Sequence, residues 1–223
     1  MTLVVERAIP GGWSDRQVPV GPHLFRLHTP ADPDEVLGQI ESPEAANQPE
    51  FADPYWAKLW PAAPLLAAAI VRQAPRPRTR VLELGCGSGL VGIAALACGL
   101  EVTFSDYVPF AVELARHNAA RNGFSHANGT VLDWRQPREE RFDFIVAADV
   151  TYDRQNLAAL LNVIERMLAP RGEAWFGDAG RSPAGDFCEQ ARRRGWSVAL
   201  YDEIDRAVDA FEVGSYRRIV VRK

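Results

Sequence analysis

Apolar residues along this chain follow two rhythms. β-favouring runs occur at Arg80–Leu84, Glu101–Asp106, Phe142–Ala148 and Glu173–Asp178. The third is almost continuously apolar, as a central parallel strand covered on both faces should be. Between these runs, apolar residues recur every three or four positions, as at Leu90, Ile93, Ala94, Leu96 and Ala97, and again over Leu157–Leu168. That period places them on one side of a helix. Further helices are expected over Val108–Arg121, over Ser182–Arg194, and from near Pro61 to about Gln73. Pro61 and Pro64 forbid one uninterrupted helix from Asp53. A short strand is expected at Gly129–Leu132. Trp196–Tyr201 and Tyr216–Arg222 read as the last strands. No helix-length pattern clearly separates them, which points to an antiparallel pair.

Before the first parallel strand, Gln17–Val20 and His23–Leu27 alternate around Gly21-Pro22, the pattern of a small hairpin. An acidic loop, Asp32 to Glu50, follows. Strands alternating with helices give a doubly wound α/β sheet. The expectation is a Rossmann-like, mostly parallel seven-stranded sheet with an antiparallel C-terminal strand. Residues 1–50 form a hairpin-and-loop appendage and residues 51–223 the main domain.

At 223 residues, 47% hydrophobic and 24% charged, the chain is long enough for one full α/β core. A net charge of -4 argues against a broad basic face for nucleic acid. The basic runs Arg76–Arg80 and Arg192–Arg194 read as solvated ends. Three cysteines and four histidines show no metal or disulfide spacing. Thr2–Val5 is too short for a signal-peptide core, and no apolar run reaches membrane length. These features lead to the expectation of a cytoplasmic monomer with no metal, no membrane contact and no nucleic-acid partner.

The chemistry is concentrated in Glu83-Leu84-Gly85-Cys86-Gly87-Ser88-Gly89-Leu90-Val91-Gly92. A strand, a glycine turn and a helix N-terminus bring unpaired N–H groups to one place, suited to a polar ligand. Two registers compete. Gly87-x-Gly89-x-x-Gly92, with Asp106 roughly 20 residues on, matches a dinucleotide fingerprint. Glu83-x-Gly85-x-Gly87-x-Gly89 instead resembles the class I methyltransferases, which bind S-adenosylmethionine (SAM). The apolar run stops at Leu84, so Gly85 is the first turn residue, which favours the second register.

The resemblance implies that Glu83 lies near the methionine end of SAM, that the three glycines pass beneath it, and that Asp106 holds the ribose. Asp106 could also cap the next helix. Cys86 is a small residue that fits the loop and is not a nucleophile. Asp133-Trp134, an acid followed by an aromatic at a strand end, suits adenine: the carboxylate accepts from the amine and the indole stacks. Ser88, Tyr107 and Ala148 complete the expected cofactor set. Trp60, from the aromatic cluster Tyr55, Trp56 and Trp60, is expected to wall the methyl donor. Five acids, Glu83, Asp106, Asp133, Asp149 and Asp178, end predicted strands on one rim.

The corner after the fourth parallel strand faces the donor methyl in this fold. Enzymes that methylate adenine or glutamine carry Asn/Asp-Pro-Pro-Tyr there, whereas this chain has Asp149-Val150-Thr151-Tyr152. That element, with Trp56-Ala-Lys-Leu-Trp60-Pro61 and Leu132-Asp-Trp134, resembles the family 16 protein lysine methyltransferases over about residues 51–182. Gly177-Asp-Ala-Gly-Arg181 is similar to the branch that methylates the electron-transfer flavoprotein β-subunit, where proline is expected in place of Ala179. The resemblance implies a protein substrate presenting a lysine, with Asp149 and Tyr152 as the catalytic residues. A small-molecule N- or O-methyltransferase of the same fold is the first alternative. An inactive SAM- or NAD-binding module is the second.

Overall fold

A computed structural model describes residues 7–38, 53–73 and 75–223. Most of the expected Asp32–Glu50 loop lies outside them. The hairpin is longer than the alternation suggested, with β1 (Trp13–Val20) and β2 (His23–Pro30) paired antiparallel throughout. A short helix, α1 (Pro33–Leu37), follows, capped by the Asp32 side chain. A 3-10 turn (Pro54–Ala57) and helix α2 (Ala62–Gln73) match the break that the prolines require.

The main unit alternates as expected: β3 (Arg80–Leu84), α3 (Leu90–Ala97), β4 (Glu101–Asp106), α4 (Pro109–Arg121), β5 (Asn128–Val131), β6 (Phe142–Ala148), α5 (Leu157–Met167), β7 (Leu168–Asp178), α6 (Ser182–Arg193) and β8 (Ser197–Tyr201). A two-residue strand β9 (Ala207–Val208) and β10 (Arg217–Arg222) complete it. The sheet order is β5-β4-β3-β6-β7-β10-β8-β9. β3 to β7 run parallel, and β10 lies antiparallel between β7 and β8.

Two features depart from the expected seven strands. β9 makes an eighth, because Asp202 folds the acidic connection into a turn. Its carboxylate accepts from Ile204 N, Arg206 N and Arg206 Nε at 3.1, 2.9 and 2.7 Å. β7 also begins five residues before Glu173, since Leu168 pairs with Phe142 and a bulge absorbs the expected loop.

Alternate residues of the central strands feed opposite faces, as the pleat demands. Val81, Phe144 and Val146 join the cluster under α2 and α3, whereas Leu82, Leu84, Ile145 and Ala147 join that under α5 and α6. The hairpin packs into the first of these through Val18, Val20, Phe25 and Leu27. It is also held by polar contacts. Asn118 on α4 and Asn122 at its C-terminal cap, one turn apart, bond the backbone N–H and C=O of His28 and Arg26 respectively, at 2.7 to 3.1 Å. Asn118 also donates to Ser88 O at 3.0 Å, which ties the hairpin to the glycine loop.

Candidate active site

The chain crosses from β3 to β4 and β5 on one side, then returns from β5 to place β6 on the other side of β3. Open α/β sheets bind ligands at the carboxyl ends of strands around such a switch point. A cavity of about 780 Å³ lies there. Among the expected residues it is lined by Trp60, Glu83, Gly85, Cys86, Gly87, Ser88, Asp106, Tyr107, Asp133, Trp134, Ala148, Asp149 and Tyr152.

Gly89 is the exception. It stands behind the wall as the left-handed residue opening α3, and a Cβ there would meet Ala115 at 2.8 Å. Its lack of a side chain serves helix packing. Gly85 is different: at φ 61° it faces the cavity, and a Cβ would meet Val150 at 3.0 Å and Trp134 at 3.4 Å. Trp134 and Val150 thus close down on a bare backbone.

The acids tie this loop together. Glu83 is buried and accepts from Gly92 N at 3.0 Å. Burial pushes its carboxyl up to about 8 against that hydrogen bond, and the Asp106 charge adds to the rise. Asp106 performs both expected duties. It lies on the cavity wall, and it accepts from Gly87 N at 3.1 Å and from Val108 N, at the start of α4, at 3.0 Å. Desolvation pushes it up to about 6, while those two N–H groups oppose the shift. Asp133 is gripped by Arg135 through three side-chain contacts of 2.8 to 3.1 Å, and this cation holds it below the usual carboxylate range. Asp178 does not line the cavity. It is fully buried and accepts from Gly180 N, Arg181 N and Thr151 Oγ.

At the other end stands a wall of three aromatics. Tyr55 lies 5.5 Å from Tyr152 and 6.2 Å from Trp60, ring centre to ring centre. Trp60 Nε1 donates to Tyr55 O at 2.9 Å. Tyr55 and Tyr152 are exposed at the mouth. Burial of its hydroxyl, with nearby carboxylates, pushes Tyr152 up to about 12, so it stays neutral at ordinary pH. Trp56 divides from Trp60: it is buried and packs edge-on to Phe110 at 4.8 Å.

Asp149 sits between the two ends, at φ 56° and with its side chain fully buried. It accepts from Ala62 N at 2.7 Å, the first residue of α2, and from Ala179 N at 3.3 Å. The Arg181 guanidinium is bonded to the same carboxylate. A residue 87 positions from Ala62 thus supplies the acceptor for a helix start.

Arg181, Tyr55 and Arg135 line the cavity and were missed as site residues. Tyr55 carried a signal, as one of three aromatics in six residues. Arg181 ends the Gly177–Arg181 segment that the resemblance singled out, yet nothing local says that it turns back to Asp149. Among the described residues no cluster of His, Cys, Asp or Glu suits a metal ion, and no helix is long and apolar enough to cross a membrane.

The cavity fits SAM by its donor set. A bare-backbone cradle at Gly85 lies beside Glu83 and Asp106, with Asp133 and Trp134 near. Carboxylates suit the ribose hydroxyls, the adenine amine and the cationic end of that cofactor.

Comparison with known proteins agrees. The lysine methyltransferase family pattern matches residues 48–183, more than half of the chain. The chain is 38% identical over 85 residues to a ribosomal protein L11 methyltransferase of Escherichia coli, a match covering 38% of this chain and 29% of that protein. The match therefore spans under a third of the length of that relative. Among solved structures, a TehB-like SAM-dependent methyltransferase from Corynebacterium glutamicum superposes with a TM-score of 0.59 at 23% identity, covering 86% of this chain and all of that one. A ribosomal protein L11 methylase from Lactobacillus delbrueckii subsp. bulgaricus gives 0.58 at 20% identity, covering 73% and 78% of the two chains. These likenesses show the fold. The chain belongs to the lysine methyltransferase family.

Proposed function

We propose that this chain is a SAM-dependent methyltransferase that acts on the side-chain amine of a lysine in a protein substrate. The observation that carries the reading is the corner itself. An aromatic mouth of Tyr55, Trp60 and Tyr152 leads to the buried Asp149 carboxylate beside the glycine cradle. That sequence of surfaces suits a long apolar stem ending in a cation, presented from outside.

Bound SAM supplies a methyl group on a positively charged sulfur, to be displaced in line by an amine. The chain's residues must deliver that amine neutral and aligned. Deprotonating a free lysine at pH 7 costs about 4–5 kcal/mol. Tyr55, Trp60 and Tyr152 strip water from the stem, and desolvation lowers an ammonium pKa. Asp149 accepts a hydrogen bond from the amine and fixes its direction. Its proton leaves to water through the mouth. Fixed donors around Asp149 make it a rigid guide, and orientation supplies most of the rate. Tyr152 stays neutral and lines the path.

Tritiated SAM added to a host lysate, resolved on a gel, tests this. A discrete labelled protein band that weakens with Tyr152→Ala is the expected result. Label confined to small molecules would move the assignment to a small-molecule N- or O-methyltransferase.

A further inference from the structure

Arg181 reaches the cavity wall, and its surroundings resemble a binding site already filled. Its backbone is fixed. Gly180 N and Arg181 N donate to Asp178 Oδ1 at 2.8 and 2.6 Å, and Gly214 N donates to Gly180 O at 2.8 Å. Thr151 Oγ holds the other Asp178 oxygen at 2.6 Å. The side chain is the part left to move. It is 27% exposed, whereas the Asp149 and Asp178 side chains are wholly buried.

The guanidinium has two kinds of partner. It is bonded to Asp149 Oδ1 and lies 3.9 Å from Asp178 Oδ2. It also stands 5.5 Å from the centre of the Trp60 ring. A carboxylate and an indole face are the groups that would receive an alkylammonium entering past Tyr55 and Tyr152. Trp60 draws a second cation too, Lys58 Nζ at 5.6 Å. Two carboxylates against one guanidinium leave the cluster formally one charge negative, so it still attracts a cation.

We propose that Arg181 is a positioning residue that stands in for the substrate's ammonium. In the free protein its guanidinium fills the place on Asp149 and Trp60, and the incoming lysine displaces it towards the mouth. This rests on the lysine reading above. It has two consequences. The exchange of guanidinium for ammonium does not leave the buried carboxylate unpaired, a state that is strongly destabilising. Only a ligand bringing its own cation can replace the guanidinium without leaving Asp149 bare. Alcohols and other neutral ligands are excluded by that mismatch.

The test follows the Trp60 indole N–H signal by NMR in protein loaded with S-adenosylhomocysteine. Non-denaturing guanidinium chloride is titrated first, then Nα-acetyl-lysine amide. In Arg181→Ala, guanidinium should bind saturably where the unaltered protein shows nothing. The lysine probe should compete with it, and bind the variant about tenfold more tightly than the unaltered protein. Arg181→Lys should restore the insensitivity to guanidinium.

Equal S-adenosylhomocysteine affinity shows that the variant is folded. Arg181→Gln, which keeps a donor for Asp149, repeats the test if the alanine variant is not folded. No saturable guanidinium site in a folded variant would overturn the proposal. So would weaker binding of the lysine probe than in the unaltered protein, because Arg181 would then be a permanent part of the substrate site. Guanidinium binding without competition by the lysine probe would keep the cation site and reject lysine as its occupant, which separates the two failures.

Discussion

At the glycine-loop end of the cavity, the polar contacts come from backbone near in sequence: Gly92 N to Glu83, and Gly87 N and Val108 N to Asp106. At the corner end they come from side chains that are distant in sequence. Asp149 meets Ala62 N, Ala179 N and Arg181, while Tyr152 meets Tyr55. The first end is a local motif that the fold carries as a unit. The second exists only after α2, β6 and the loop beyond β7 have come together. Cofactor binding and substrate handling should therefore fail separately, and stability should depend more on the corner.

The largest effect is expected at the corner. Asp149→Ala strands the Arg181 guanidinium and frees the first N–H of α2. Losing that helix-start acceptor together with one partner of a part-buried guanidinium costs about 2–3 kcal/mol, so urea unfolding should shift clearly as turnover is lost. Asp149→Asn should recover much of the stability and little of the turnover. Equal stability of the alanine variant and the unaltered protein would refute the capping role.

At the loop end, Gly85→Val should lose SAM binding by at least about a hundredfold in calorimetry, because a left-handed β-branched residue there also strikes Val150. Stability should fall less than for Asp149→Ala. A variant with normal affinity would show that the cradle is not where the cofactor lies.

Glu83 gives a pH signature. Its carboxyl is raised from 4.5 to about 8 in the folded state. The native state therefore holds a proton that the unfolded chain releases, and stability falls as pH rises through that window. Asp106, raised to about 6, acts in the same direction over the lower part. Glu83→Gln should flatten the decline in urea midpoint between pH 5 and 8, relative to the unaltered protein. Parallel curves would show that Glu83 is ionised throughout. The smallest effect is expected for Tyr152→Phe, which keeps the ring and loses a neutral hydroxyl. Turnover should stay within about threefold, whereas Tyr152→Ala should lose about tenfold, consistent with one aromatic contact.

The same contrast explains what could be read from the chain. Strand ends, the glycine turn and the acids Glu83 and Asp106 were legible because they fall in one strand-turn-helix-strand stretch, with bonded partners 2 to 19 residues away. Trp60 was singled out from its aromatic cluster, whereas the position of Trp56, on the cavity wall and packed against Phe110, appeared only in three dimensions. Gly89 fitted the motif, yet its bare Cα faces Ala115. The early start of β7 was hidden by Pro170-Arg171-Gly172, which reads as a turn and is absorbed as a bulge. Asp178 looked like a rim acid, and it is a turn-builder behind the wall. Arg181 was illegible because its partner is 32 residues away.

The central claim is that the corner presents a protein's lysine amine to the methyl donor. The most direct measurement is complete acid hydrolysis of the protein labelled from tritiated SAM, with chromatography of the released amino acids. Tritium running with methylated lysine is the predicted result. Tritium on any other residue, or none in the protein fraction, would contradict it.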